Sequence, residues 1–177
     1  KLYLVKFFQE LISAKFYKLI MKNNLKYPLL DNAFSSADIN IAIDVLRSKK
    51  ITMSKKTLEF EARFAKYVGA KYAVMVNSGS SANLLSVFAS CNPLRKNKFK
   101  RGDEAIIPSL CWSTSLWPLV QTGLKPVFTD VNTKSLNMNL EHFKKALSPK
   151  TKVVMVVHVL GNSGPIEEIS KICKKRK

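Results

Sequence analysis

Residues 74–85 read Val-Met-Val-Asn-Ser-Gly-Ser-Ser-Ala-Asn-Leu-Leu, an apolar run that ends in small polar residues and then becomes apolar again. The near-continuous apolar run of residues 72–76 is typical of a parallel strand covered on both faces. After the turn, apolar residues recur at helical spacing, namely Leu85, Phe88 and Ala89. We therefore predict a strand, a tight turn and a helix.

The turn Ser78-Gly79-Ser80-Ser81 has the features of a phosphate site. Gly79 can take backbone angles closed to other residues, and its missing Cβ lets a ligand approach the main chain. Ser80 and Ser81 fall in the first helical turn, where unpaired N–H groups and the helix dipole attract anions. Serine is also an ordinary helix cap and glycine an ordinary turn residue, so a purely structural turn is the alternative on this motif alone. The P-loop ending and the three-glycine dinucleotide fingerprint are both absent.

Helix and strand signals alternate along the rest of the chain. The predicted helices cover about residues 39–46, 60–67, 113–121 and 140–147, and the predicted strands cover 104–107, 126–130 and 153–158. This alternation predicts an α/β fold with a mostly parallel sheet and helices on both faces. Ligands bind such sheets at the carboxyl ends of the strands, so we expect functional residues in the loops that follow them.

Residues 61–85 resemble the DegT/DnrJ/StrS family of sugar aminotransferases and dehydratases. The resemblance continues through residues 102–108, 123–131, 151–158 and the pair Gly161-Asn162. The resemblance is strongest to the branch that contains CDP-4-keto-6-deoxyglucose 3-dehydratase. Apolar residues near the N-terminus recur on one helical face, which predicts an amphipathic helix over residues 1–26. The resemblance implies that an incomplete fold-type-I transferase large domain follows over residues 27–177.

The resemblance also implies pyridoxal 5'-phosphate or pyridoxamine 5'-phosphate as cofactor. The residues expected to hold its phosphate are Ser78, Gly79, Ser80 and Ser81. Trp112 matches the family aromatic that lies against the pyridine ring, and stacking suits a flat electron-poor ring. Trp117 is interpreted as a packing residue. Asn162 is expected to contact the substrate, with His158 supporting its loop.

The catalytic groups of the family are expected beyond residue 177, so no catalytic residue is named here. They are an acid beside the pyridine nitrogen and a Schiff-base lysine, which a histidine replaces in the dehydratase branch. The chain begins with Lys1 and ends within a predicted helix, so we expect a piece of a longer protein. The implied substrate is a nucleotide-linked keto-deoxysugar of lipopolysaccharide or other surface-polysaccharide biosynthesis, bound by a homodimer. A noncatalytic phosphate- or nucleotide-binding α/β module is the alternative.

Composition limits the remaining classes of function. The net charge of +18 is typical of nucleic-acid binding. However, the dense basic runs at residues 95–101 and 174–177 fall on no recognition helix or aromatic platform, so no nucleic-acid partner is expected. The three cysteines are widely spaced, which predicts free thiols, no metal centre and a cytoplasmic location. Charged residues interrupt every apolar run of residues 1–26, namely Lys6, Glu10, Lys15 and Lys18. This excludes a transmembrane span there, and no membrane partner is expected.

Overall fold

A computed structural model describes residues 33–52 and 54–176. The predicted N-terminal helix over residues 1–26 lies outside the described residues. The chain divides into two compact units, with the boundary between Gly69 and Ala70.

The first unit contains two helices in its described part. Helix α1 (Ser36–Arg47) begins at the cap Ser35, whose hydroxyl accepts the Asp38 N–H while the Asp38 carboxylate accepts the Ser35 N–H. This reciprocal capping box satisfies two N–H groups that the helix itself cannot pair. Helix α2 (Lys55–Val68) ends at Gly69, whose φ of 70° is the left-handed conformation that glycine adopts without a Cβ penalty.

Three parallel strands form the sheet of the second unit. They are β1 (Glu104–Pro108), β2 (Lys125–Thr129) and β3 (Thr151–Val154), in the spatial order β2-β1-β3. The register places Ile106 of β1 opposite Val127 on one side and Val154 on the other. The central strand therefore carries both ladders.

Helices cover both faces of this sheet, as predicted. They are α3 (Gly79–Ser90), α4 (Ser113–Gln121), α5 (Leu140–Ala146) and α6 (Ile166–Lys175). Alternate side chains of β1 point to opposite faces. The first core contains Ala105, Ile107, Leu124, and Val87 and Leu119 from α3 and α4. The second core contains Ile106, Met138, and Phe143 and Ile169 from α5 and α6. The prediction of a parallel sheet between two helical layers is confirmed.

The strand predicted over residues 72–76 is wrong for this structure. None of these residues belongs to a described strand, and Tyr72 and Val74 are 76% and 70% exposed. An apolar run forms a buried strand only where a neighbouring strand accepts its ladder, and the described sheet consists of β2, β1 and β3 alone. The strand predicted over 153–158 is also shorter than expected, since β3 ends at Val154.

Candidate functional site

The polar turn before α3 is organised by Ser78. Its side chain accepts the Ser81 N–H at 3.1 Å, and its hydroxyl donates to the Ser81 Oγ at 3.1 Å. Ser78 is therefore the N-cap, and both of its contacts stay within the turn. The hydroxyl proton of Ser81 remains available to a ligand, because the Ser81 oxygen is the acceptor in this pair.

Two backbone donors point out of the same turn. Gly79 and Ser80 are the first two helical residues, so their N–H groups have no carbonyl one turn earlier within the helix to bond. A Cβ added to Gly79 would meet no heavy atom within 4 Å, so space is open directly beside these donors. Gly79 is absent from the residues with positive φ, and the expectation that it needs special backbone angles is wrong. Its contribution is the open approach, because its helical conformation is available to any residue.

The amino ends of α3 and α4 lie side by side. Asn83 Nδ2 donates to Ser115 Oγ at 3.5 Å and links the two helices near their first turns. A cavity of about 240 Å³ opens between them. Its lining residues are Ser80, Ser81, Leu84, Thr114, Trp117, Pro118 and Gln121. Two residues of the predicted phosphate turn thus share a cavity with the helix that begins after Trp112.

Both tryptophans are exposed, and only Trp117 differs from its sequence-based assignment. Trp112 is the N-cap of α4, follows the carboxyl end of β1 and is 74% exposed, so its indole is available to a ligand. Trp117, expected to be a packing residue, is 53% exposed and lines the cavity with Ser80.

Burial raises the pKa of the Cys111 thiol, which lies next to Trp112 in the chain, so this thiol stays protonated and is a poor nucleophile at neutral pH.

The loop after β3 holds the other predicted residues. His158 Nδ1 accepts the Gly164 N–H at 3.0 Å, which is the supporting role expected for this histidine. The Asn162 Nδ2 donates to the Ser135 carbonyl at 3.3 Å, and the Asn162 backbone N–H donates to the Val159 carbonyl at 2.9 Å. These contacts place Asn162 against the loop that precedes α5, whereas Ser78–Ser81 lie beside α4. The described hydrogen bonds therefore do not join the predicted substrate residue to the predicted phosphate turn.

Other kinds of site find less support in the described part of the chain. No group of three or more His, Cys, Asp or Glu side chains there converges as metal ligands would. Among the described helices, none is long and apolar enough to cross a membrane.

Comparison with known proteins identifies the chain's relatives. The model of the DegT/DnrJ/EryC1/StrS aminotransferase family matches residues 33–177. The chain belongs to this family. The match includes the turn Ser78–Ser81, Trp112 and the loop after β3, so the resemblance seen in the sequence is confirmed.

Two relatives are 3-dehydratases by their names. GDP-4-keto-6-deoxy-D-mannose 3-dehydratase of Yersinia pseudotuberculosis is 40% identical over 148 residues, which are 84% of this chain and 37% of that protein. A structure of the Escherichia coli GDP-4-keto-6-deoxy-D-mannose-3-dehydratase with bound hydrated PLP superposes with a TM-score of 0.79 at 41% identity. It covers 85% of this chain and 38% of that one.

A third family member transfers an amino group, again by its name. The dTDP-4-dehydro-2,3,6-trideoxy-D-glucose 4-aminotransferase of Saccharopolyspora spinosa is 29% identical over 156 residues, 86% of this chain and 37% of that protein. The chain thus spans a little over a third of the length of these three DegT-family relatives.

Three residues of the site were missed by sequence reasoning. Thr114 and Trp117 line the cavity beside the phosphate turn, and Asn137 is 1% exposed with its side chain bonded to the loop after β3. The helical period of α4 could have placed Thr114 and Trp117 on one face, three residues apart. Asn137 gives no such signal, because a single asparagine before α5 reads as an ordinary turn residue.

Proposed function

We propose that this chain is the cofactor-binding part of a PLP- or PMP-dependent enzyme that acts on a nucleotide-linked keto-deoxysugar, and that the reaction is 3-dehydration. The supporting observation is the Ser78-capped turn, with its open approach at Gly79, in a chain 40% identical to a 3-dehydratase. Identity to the named 4-aminotransferase is lower, at 29%, and this favours dehydration over transamination.

The described residues fit the phosphate end of this cofactor. The N–H groups of Gly79 and Ser80, the hydroxyls of Ser80 and Ser81 and the α3 dipole are donors and partial positive charge that suit a phosphate. Ser78 prepares the turn by holding the Ser81 N–H and Oγ, so these donors are oriented before the ligand arrives. Preorganised donors avoid part of the entropic cost of binding.

The exposed indole of Trp112 would cover the face of the pyridine ring. Stacking fixes the plane of the ring and leaves its edge substituents free. The bound cofactor supplies an electron sink, which is chemistry that no side chain provides. The residues of this chain supply position, and position alone leaves most of the chemical barrier in place. We therefore expect activity only from a protein that also contains the ring-nitrogen acid and the Schiff-base lysine, or the histidine in its place.

The substrate would lie at the same edge of the sheet, with Asn162 among its contacts. The sequence resembled the branch that contains CDP-4-keto-6-deoxyglucose 3-dehydratase without deciding the sugar nucleotide, whereas the dehydratases found by comparison are named for GDP-4-keto-6-deoxy-D-mannose. We infer a GDP-linked 4-keto-6-deoxysugar as the first substrate to test. Its product would enter the synthesis of lipopolysaccharide or another surface polysaccharide.

We also propose a cytoplasmic homodimer. All three cysteines are free thiols, which suits a reducing compartment. Four apolar side chains on α3 and α4 are exposed by between 45% and 53%, namely Leu85, Phe88, Trp117 and Val120. Exposed apolar side chains in this number on adjacent helices favour a protein partner, and a second copy is the partner expected here.

The experiment that tests the function uses the full-length protein with PMP, glutamate and GDP-4-keto-6-deoxymannose. Carbon NMR of the product should show loss of the oxygen at sugar carbon 3, with no new amino group at carbon 4. An amino group at carbon 4 would show that the reaction is transamination and would contradict the proposed dehydration. Cofactor binding without turnover of GDP-, CDP- or dTDP-linked keto-sugars would instead support the noncatalytic module.

A further inference from the structure

The loop that joins β3 to α6, residues 158–164, has an unusual backbone. Leu160 and Gly161 are left-handed in succession, with φ values of 54° and 78°. A left-handed leucine is strained and persists only where its surroundings hold it. The Leu160 side chain is 94% exposed, so its own packing does not compensate for that strain. Other contacts must hold this loop.

Asn137 makes those contacts from the loop before α5. Its Oδ1 accepts the Val159 N–H at 3.1 Å, and its Nδ2 donates to the Asn162 carbonyl at 3.1 Å. The two bonds bracket Leu160 and Gly161, the two left-handed residues. One carboxamide therefore fixes both ends of the strained segment.

This carboxamide is itself rigidly mounted. Asn137 is 1% exposed, and its carbonyl accepts the Asn132 N–H at 2.9 Å. The next residue, Met138, is 2% exposed in the second core and forms a β-bridge with Val131. Gly164 packs closely, because a Cβ built there would lie 3.5 Å from the Asn137 Cβ. A buried amide with both ends bonded is costly to disturb, since either lost partner leaves a polar group without a hydrogen bond.

We propose that Asn137 is the positioning residue for Asn162. It does not touch the substrate. It holds the strained loop in the one conformation that presents Asn162 to a nucleotide-linked sugar. This inference rests on the proposed function for its substrate, while the holding of the loop can be measured without any substrate.

The test uses Asn137→Asp in the full-length protein. This change keeps the size of the side chain and an oxygen for the Val159 N–H, but it sets a carboxylate oxygen against the Asn162 carbonyl. The matched control is Asn139→Asp. Asn139 caps α5 by accepting the N–H groups of Glu141 and His142, and aspartate caps a helix as well as asparagine does.

Hydrogen exchange gives the first readout. In Asn137→Asp the amides of Gly161 and Asn162 should exchange at least about tenfold faster, because the loop opens more often. They should keep their rate in Asn139→Asp. An unchanged exchange rate in Asn137→Asp would overturn the proposal.

Kinetics with GDP-4-keto-6-deoxymannose give the second readout. KM should rise about tenfold in Asn137→Asp while kcat stays within about twofold, the pattern of lost substrate binding. Adding Leu160→Gly to Asn137→Asp should lower KM part of the way back to the wild-type value, because glycine adopts the left-handed conformation without strain. Faster exchange with an unchanged KM would refute the positioning role. Failure of the proposed function is seen separately, as absence of turnover by the wild-type protein.

Should Asn137→Asp fail to fold, Asn137→Ser removes both bonds without adding charge, and the same two outcomes apply.

Discussion

Replacing Gly79 by alanine should separate folding from ligand binding at the phosphate turn. Gly79 is the first residue of α3, its φ is not left-handed, and an added Cβ meets no heavy atom within 4 Å. Alanine therefore fits the folded chain. A glycine replaced by alanine at a compatible site stabilises a protein by about 0.4–1 kcal/mol, mainly because the unfolded chain loses freedom.

The same methyl group should weaken cofactor binding. It would occupy the open space beside the N–H groups of Gly79 and Ser80, where the phosphate is proposed to lie. A hydrogen bond to a charged group contributes about 1.5–3 kcal/mol. Loss of one such bond at about 2 kcal/mol would raise the Kd of pyridoxal phosphate roughly thirtyfold. Gly79→Ala should thus increase the stability of the fold and decrease the affinity for pyridoxal phosphate.

Two measurements on the full-length protein check this: urea unfolding without cofactor, and titration with pyridoxal phosphate followed by absorbance. Gly102→Ala is the matched control, because Gly102 has a φ of 89° and stands outside the turn. Alanine there should lower stability by about 1–3 kcal/mol and leave the Kd unchanged. An unchanged Kd in Gly79→Ala would remove the turn from the cofactor site, and a loss of stability would refute the open space beside Gly79.

Two further predictions concern the exposed tryptophan and the helix cap of the first unit. Trp112→Ala should remove most of the indole quenching seen when pyridoxal phosphate binds, whereas Trp117→Ala should leave most of it; the reverse result would assign the ring contact to Trp117. Hydrogen bonds from the side chain and backbone of Ser35 lower the pKa of Asp38 below its ordinary 3.8. The contact therefore stabilises α1 above that pH, and this stabilisation is lost as the pH falls through the lowered pKa. Circular dichroism between about pH 5 and pH 2 should show a smaller acid-induced loss of helix in Ser35→Ala than in the wild type, and equal losses would contradict the capping box.

The sequence was sufficient for the architecture wherever a local pattern and its tertiary partner were both present. Helix α4 was predicted with its observed ends, and α5 begins at Leu140 as predicted, because caps and apolar spacing are local signals. The strand prediction for residues 72–76 was wrong because an apolar run forms a strand only beside a partner strand, and the sequence pattern does not show whether that partner is present. The boundary predicted at residues 26 and 27 stays a prediction.

The candidate site was predictable in its backbone and less so in its side chains. Ser78–Ser81 followed from the change of pattern at the turn, and the exposure of Trp112 agrees with a ligand contact. Asn137 could not be found, since its role depends on two backbone groups more than twenty residues away. The contact of Asn162 with a substrate stays a prediction, as does the contact of the turn with a phosphate.

The alternation of side chains along β1 has a consequence for how this protein can change over evolutionary time. Ala105 and Ile107 belong with the helices that carry the phosphate turn, whereas Ile106 belongs with those beside the Asn137 loop. Substitutions on opposite faces of a sheet share few contacts, and their effects are then close to additive. A lineage could therefore remodel the loop after β3 through the second core while the turn Ser78–Ser81 keeps its geometry. The sheet that separates the two cores would let one region of this protein diversify while the other stays constant.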